Sequence, residues 1–189
     1  DDQAAHRRLL RDMLEPLGFH VDEAVDGEAC LAVVAGQAPD LVLLDVTMPG
    51  VDGWAVRAAL YASQPQLPVI MVSATVATLD AAAVAGTTRF VAKPVMLPEL
   101  LLRVGQCLNV EWITEPAGEA APLQDAHAML DIVLEREDAD ALLELGAMGY
   151  VKGVLAKLDD IQARAPHTSP LTTQLRKLAA GFRLKEYQQ

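Results

Sequence analysis

The stretch LVLLDVTMPGVDG at residues 41–53 decides how this chain is expected to fold. Its first five residues form a short, continuous apolar run that ends in Asp45, and such a run predicts a strand buried on both faces of a parallel sheet. The Pro and Gly residues after Asp45 predict a loop, and a helix is expected from about Trp54 to Ala62. The stretch therefore predicts a strand, a loop and a helix in succession, with a carboxylate at the end of the strand.

The same succession of strand and helix continues through the first half of the chain. Two more apolar runs, PVIMVS at 68–73 and RFVAK at 89–93, predict buried strands, and FHVDEA at 19–24 alternates apolar and polar residues as a half-buried strand does. Further helices are predicted at 3–17, 28–36, 77–85 and 98–108. Strands that alternate with helices predict right-handed crossovers and an α/β fold with a doubly wound parallel sheet.

The pattern of apolar and polar residues changes after Val110. Residues 111–122, EWITEPAGEAAP, have no periodicity and are typical of a linker. Helical patterns return at 123–136, 138–163 and 171–187, without further strand signals. We therefore expect a first domain over residues 1–110, a linker over 111–122 and a small all-α extension over 123–189.

The overall composition excludes several classes of protein. The net charge of −11 disfavours binding to nucleic acid or to an anionic membrane. No apolar run approaches the roughly 18 residues that span a bilayer. Only two cysteines are present, Cys30 and Cys107, which makes a disulfide framework implausible and suggests neither a zinc site nor an oxidising compartment. We therefore expect a cytoplasmic globular protein that contacts neither nucleic acid nor membrane through this segment.

Polar residues stand at the ends of the predicted strands. Asp45, Ser73 and Lys93 each end an apolar run, and Asp1 and Asp2 would end a strand lying just before the first residue. In a doubly wound sheet these ends share one edge, where ligands bind. Three carboxylates gathered there repel one another unless a hard cation lies between them, and Mg²⁺ prefers carboxylate oxygens. A carboxylate nucleophile, a metal, an ammonium and a hydroxyl are the parts of a phosphoryl-transfer site.

Together these motifs resemble the response-regulator receiver domain of two-component signalling. The resemblance rests on Asp1-Asp2, on DVTMPGVDG at 45–53, on VSA at 72–74 and on Lys93-Pro94, and it spans about residues 1–108. It implies a flavodoxin-like sheet with the strand order 2-1-3-4-5, whose first strand is missing from the given chain. Because that strand is central in the family's sheet, we expect the chain to be part of a longer protein.

The resemblance assigns the phosphoacceptor and the metal ligands. Asp45 is the implied phosphoacceptor. Asp1, Asp2 and Asp45, together with the backbone carbonyl of Thr47, are the implied ligands of the cofactor Mg²⁺.

The resemblance also assigns the residues that would respond to phosphorylation. Ser73 and Lys93 would hold the phosphoryl oxygens. Ser73 and Phe90 would form the switch, with Phe90 moving as Ser73 turns toward the new oxygens, and Lys93-Pro94 falls where the family commonly has a cis peptide bond. The face built by the last two strands and helices of the receiver would then change.

The tail has a resemblance of its own. LNVEW at 108–112, together with LLELGAMGYVKG at 142–153, is similar to the C-terminal end of hybrid sensor histidine kinases. This implies a histidine kinase or a phosphotransfer protein as phosphodonor, and a segment that belongs to the cytoplasmic part of a membrane-anchored sensor. The receiver resemblance also allows a homodimer through the last strands and helices of the receiver.

Two other functions remain open from the residues. The first is a receiver-like docking scaffold that is never phosphorylated and whose helical tail mediates assembly. The second is a haloacid-dehalogenase-like phosphatase, but that class expects a second aspartate two residues after the nucleophile, where this chain has Thr47. A receiver promotes only its own phosphorylation and hydrolysis, so we do not expect the chain to be an enzyme in its own right.

Overall fold

The computed structural model describes residues 1–74, 89–112 and 134–180. The chain divides into two compact units, the first formed by Asp1–Leu14 and His20–Glu111, and the second by Glu15–Phe19 and Trp112–Gln189. Within the described ranges, no helix combines the length and apolar character that a membrane span requires.

A parallel sheet lies at the centre of the first unit. Its described strands are β1 (Val42–Asp45), β2 (Val69–Ser73) and β3 (Phe90–Ala92), in the spatial order β1-β2-β3. The register pairs Asp45 with Val72 and Ser73 with Ala92, so the carboxyl ends of the strands lie side by side. The predicted parallel α/β sheet is therefore confirmed, with strand ends within one residue of those expected.

Helices connect and flank these strands. In the first unit they are α1 (Ala4–Leu14), α2 (Gly27–Gly36), α3 (Gly53–Ser63) and α4 (Leu97–Leu108). The carboxylates of Asp26 and Asp52 cap α2 and α3, each accepting a backbone hydrogen bond of 2.8 Å from the residue three positions later. These caps fix where both helices begin. The first residue of α3, Gly53, lies close to the end of β1.

The core of the first unit lies between the sheet and helices α2 and α3. Its buried cluster draws side chains from α2, α3 and all three strands, and its members are Cys30, Val34, Val42, Leu44, Met48, Val56, Leu60, Val69, Met71 and Phe90. Successive strand residues point to opposite faces, so Ile70 and Val91, both fully buried, belong to the other face of the sheet. A sheet covered on both faces agrees with its continuous apolar strands.

One predicted strand is not formed. Residues 19–24 alternate apolar and polar side chains, yet the structure places them outside any strand. Alternation of apolar and polar side chains is therefore not sufficient for a strand, because a strand also needs a partner for its backbone hydrogen bonds.

The second unit is helical, as expected for the tail. It contains α5 (Arg136–Met148), α6 (Val151–Arg164), a 3₁₀ turn at Pro166–Thr168 and α7 (Ser169–Ala180). The single helix predicted at 138–163 is wrong, because Gly149 adopts a left-handed conformation with φ 74° and ends α5. The ring of Tyr150 then packs where a side chain at Gly153 would stand, 2.3 Å from an added Cβ.

An ion cluster centred on a buried aspartate joins α5 to α6. Asp138 is 5% exposed, and it accepts hydrogen bonds of 2.8 Å from both Lys157 and Arg164. The hydrogen bond from Lys157, together with that from Arg164, holds the pKa of Asp138 below its ordinary value. The carboxylate thus remains charged, which is what a buried acid requires of its partners.

Several predicted segments lie outside the described residues. They are the helix at 77–85, most of the linker at 111–122, nearly all of the helix at 123–136 and the end of the helix at 171–187. The domain boundaries at residues 110 and 122 accordingly stay a prediction.

Candidate functional site

The site is built where the three strands end. Asp45 is the last residue of β1, Ser73 is the last residue of β2, and Lys93 comes directly after β3. The backbone N–H of Lys93 donates to the carbonyl oxygen of Ser73 at 2.9 Å, and that of Val46 donates to Val72 at 2.9 Å. The sheet ladder thus continues past the strands and fixes the side chains of Asp45 and Lys93 at one edge.

The side chain of Lys93 contacts two carboxylates that lie far from it in the sequence. Its Nζ lies 2.6 Å from Oδ2 of Asp45 and 3.0 Å from Oδ2 of Asp1. Asp45 is 4% exposed, and the side chains of Lys93 and Asp1 are 16% and 8% exposed. Because these groups are largely shielded from water, their attraction is screened less than at an open surface.

Three carboxylates gather at this edge of the sheet. One oxygen each from Asp1, Asp2 and Asp45 lies within 4.8 Å of the others. Arg7 of α1 holds the first two residues in place, since its Nη1 donates to the backbone carbonyls of Asp1 and Asp2 at 2.9 Å each. The arginine is held in turn by Glu23, whose Oε2 lies 3.1 Å from its Nε.

The remaining predicted residues surround this group. The backbone N–H of Thr47 donates to Oδ1 of Asp45 at 3.1 Å, so each oxygen of the Asp45 carboxylate has a different partner. Ser73 is buried, with 3% of its surface exposed. Phe90 packs in the core against Trp54, with ring centroids 5.8 Å apart, and the Lys93-Pro94 peptide bond is cis.

The match to known proteins agrees with this arrangement. The model of the response regulator receiver domain matches residues 1–105, more than half of the chain. This chain belongs to the receiver domain family. Residues 1–105 thus form a response regulator receiver domain, the kind of domain found in two-component systems.

Curated response regulators match more than half of the chain. The response regulator MprA of Mycolicibacterium vanbaalenii is 37% identical over 139 residues, which cover 70% of this chain and 58% of that protein. MprA of Mycobacterium leprae is 38% identical over 115 residues, covering 58% of this chain and 49% of that protein. The chain therefore spans about half the length of the curated relatives it matches.

Solved receiver domains share the fold of the first half. The receiver domain of NtrX from Brucella abortus superposes with a TM-score of 0.53 and 30% identity, over 59% of this chain and 96% of that one. TrrA from Thermotoga maritima, solved in complex with Mg²⁺-BeF, gives a TM-score of 0.53 and 28% identity, over 57% and 94% of the two chains. Nearly the whole of each solved domain thus has a counterpart here.

Sequence reasoning missed two residues that the receiver brings to its site. His6 lies 3.2 Å from Lys93, and Arg7 anchors the backbone of Asp1 and Asp2. Both lie in the first turn of α1, four and five residues after Asp2, and this proximity was the only signal in the sequence. The pattern of α1 marks them as polar positions, which does not distinguish a site residue from a solvated one.

Gly53 allows α3 to begin against the end of β1. A Cβ added at this position would lie 2.1 Å from the carbonyl oxygen of Asp45 and 2.9 Å from Cα of Val46, so backbone would have to move. We expect Gly53→Ala to lower the free energy of unfolding by roughly 2–3 kcal/mol, as overpacking does. Chemical denaturation monitored by circular dichroism measures this change.

The matched control is Gly36→Ala, at the end of α2. An added Cβ there meets nothing within 4 Å. The free energy of unfolding of Gly36→Ala should therefore stay within about 0.5 kcal/mol of that of the wild type. Equal stability of the two variants would show that the receiver tolerates a side chain between β1 and α3.

Proposed function

We propose that this receiver accepts a phosphoryl group on Asp45 in an Mg²⁺-dependent reaction, and that the acyl phosphate changes a surface read by a partner. The observation that carries the proposal is the convergence on Asp45. Its carboxylate contacts Lys93 at 2.6 Å and shares a cluster within 4.8 Å with Asp1 and Asp2. A nucleophilic carboxylate beside a fixed ammonium is what phosphoryl transfer to an aspartate requires.

The carboxylate ligands available at the site fit Mg²⁺. The cluster of Asp1, Asp2 and Asp45 offers carboxylate oxygens only, and Mg²⁺ prefers such hard ligands while keeping part of its water shell. Bound there, the metal would supply positive charge against the carboxylates and the incoming phosphoryl oxygens. The related receiver TrrA was solved in complex with Mg²⁺-BeF, which supports the same assignment.

We assign each residue of the site a different role in the phosphoryl transfer. An oxygen of Asp45 attacks phosphorus, and the bond to the donor's leaving group breaks with its electron pair on the leaving group. The N–H of Thr47 orients the carboxylate through Oδ1. We assign two oxygens of the transferred phosphoryl group to Lys93 and to Ser73, which is buried at the end of the next strand. We assign Phe90, which packs on Trp54, to the conformational response.

Membership of the receiver family indicates which class of protein donates the phosphoryl group. A phosphoryl group on a receiver of a two-component system comes from a histidine kinase or a phosphotransfer protein, and we propose such a donor here. Acetyl phosphate is an acyl phosphate that can replace the protein donor in a test. The leaving group is then acetate.

The test is intact-mass spectrometry of the full chain after incubation with acetyl phosphate. We expect the mass of one phosphoryl group to be gained in the presence of Mg²⁺ and not in EDTA. Hydroxylamine should remove the added mass, because it cleaves acyl phosphates and leaves phosphate esters intact. The experiment therefore identifies both the metal dependence and the type of bond.

A different result would favour the docking scaffold. If the folded chain gains no phosphoryl group at saturating Mg²⁺ and donor, the receiver fold is being used without phosphorylation. A gain that resists hydroxylamine would place the phosphoryl group on a hydroxyl side chain, and the role of Asp45 would have to be abandoned.

A further inference from the structure

The imidazole of His6 touches the ammonium of the site. His6 lies in the first turn of α1, and its Nδ1 is 3.2 Å from Nζ of Lys93 and 3.5 Å from Oδ2 of Asp1. The side chain is 37% exposed, so it borders the site on the solvent side. His6 approaches Asp1 but is not one of the three residues whose carboxylates could hold a metal.

The chemistry of the pair fixes the direction of this hydrogen bond. A lysine ammonium has three N–H donors and no acceptor, so Nδ1 of His6 must be the acceptor, with the ring proton on Nε2. Lys93 then has three acceptors at 2.6, 3.0 and 3.2 Å, on Asp45, Asp1 and His6. Each of its three hydrogens has a partner, and only the partner on His6 is uncharged when the imidazole is neutral.

The uncharged acceptor on His6 becomes important when a carboxylate exchanges its contact with Lys93 for a metal ion. If Asp1 turns its Oδ2 to a metal ion, as the proposed function requires, Lys93 loses one acceptor. A neutral imidazole carries no negative charge with which to compete with the carboxylates for the metal as a further acid would, and His6 is not one of the three clustered residues. His6 can therefore keep hold of Lys93 while Asp1 is engaged.

We propose that His6 is a positioning residue, which holds the Lys93 ammonium beside Asp45 while Asp1 binds the metal. This inference rests on the proposed function and adds a residue to it. The contact spans 87 positions in the sequence, so it belongs to the folded site and not to the local structure of α1.

The test compares His6→Leu with His6→Asn. Leucine keeps a side chain of similar size without an acceptor, whereas the Asn carbonyl oxygen can occupy a place close to that of Nδ1. We expect His6→Leu to slow the Mg²⁺-dependent gain of a phosphoryl group from acetyl phosphate by roughly three- to tenfold, the net worth of one typical hydrogen bond. His6→Asn should recover most of this loss.

The matched control is His20→Leu. His20 lies in the same unit, its side chain is 89% exposed, and its ionic neighbour is Asp22, so its loss should leave the rate unchanged. Thermal unfolding by circular dichroism shows whether each variant is folded. Either an unchanged rate in folded His6→Leu or an equal defect in His6→Asn would overturn the inference.

A second measurement does not depend on phosphorylation. Long-range ¹H–¹⁵N spectra of the wild type, at a pH where the imidazole is neutral, should show His6 as the tautomer with its proton on Nε2. A proton on Nδ1 would exclude the hydrogen bond and the inference with it. If instead the wild type gains no phosphoryl group but the tautomer is as expected, the proposed function fails while the contact between His6 and Lys93 stands.

Discussion

Asp45→Asn is expected to abolish the gain of a phosphoryl group from acetyl phosphate. The amide keeps the size of the carboxylate and can still accept the hydrogen bond of 3.1 Å from the N–H of Thr47, so the end of β1 should stay in place. It has no nucleophilic oxygen anion, and it loses the ion pair with Lys93. Affinity for Mg²⁺ should also fall by about tenfold or more, since one of three carboxylates is removed.

Intact-mass spectrometry measures the first effect and titration calorimetry the second. Asp52→Asn is the matched control, because Asp52 lies seven residues later and caps α3 by accepting from the N–H of Ala55 at 2.8 Å. Asparagine is an equally good cap, so this variant should be phosphorylated like the wild type. A phosphoryl group that still appears on Asp45→Asn would place the acceptor elsewhere and remove the proposed function.

The positions of the strand-end residues could be predicted because they depend on two local signals. Each of the runs that end in Asp45, Ser73 and Lys93 is apolar throughout, which fixes the strand, and each stops at a polar residue, which fixes its end. Parallel strands then bring these ends to one edge whatever the length of the connections. The parallel sheet was predicted correctly for this reason, while the roles of the individual residues stay predictions.

Features that depend on contacts across the fold could not be predicted in this way. The place of His6 beside Lys93 is set by packing between segments 87 residues apart. The end of α5 depends on Gly149 adopting a left-handed conformation, and the helical pattern of its neighbours runs through it unchanged. The segment at 19–24 shows the reverse case, where a good local pattern forms no strand.

Lys93→Met is the second change with a large expected effect, and its two consequences have opposite signs. Methionine replaces the stem of the lysine without its charge, so the phosphoryl oxygens lose a fixed cation, and the rate of phosphorylation should fall by roughly two to three orders of magnitude. Mg²⁺ should bind more tightly, by about tenfold, because the ammonium now contacts Oδ2 of both Asp1 and Asp45 and must be displaced by the metal. A merely destabilised site would lose both properties together.

The stability of metal-free Lys93→Met is a third property that can be measured independently. Without the ammonium, Asp1 and Asp45 face each other largely buried and uncompensated, so we expect a loss of about 2 kcal/mol in the free energy of unfolding that added Mg²⁺ restores. Lys157→Met is the matched control, since it also breaks a short pair, 2.8 Å to Asp138, but in the second unit. It should lower stability without changing phosphorylation or Mg²⁺ affinity. Weaker Mg²⁺ binding in Lys93→Met would mean that the lysine does not compete with the metal for these carboxylates, and the proposed metal site would have to be moved.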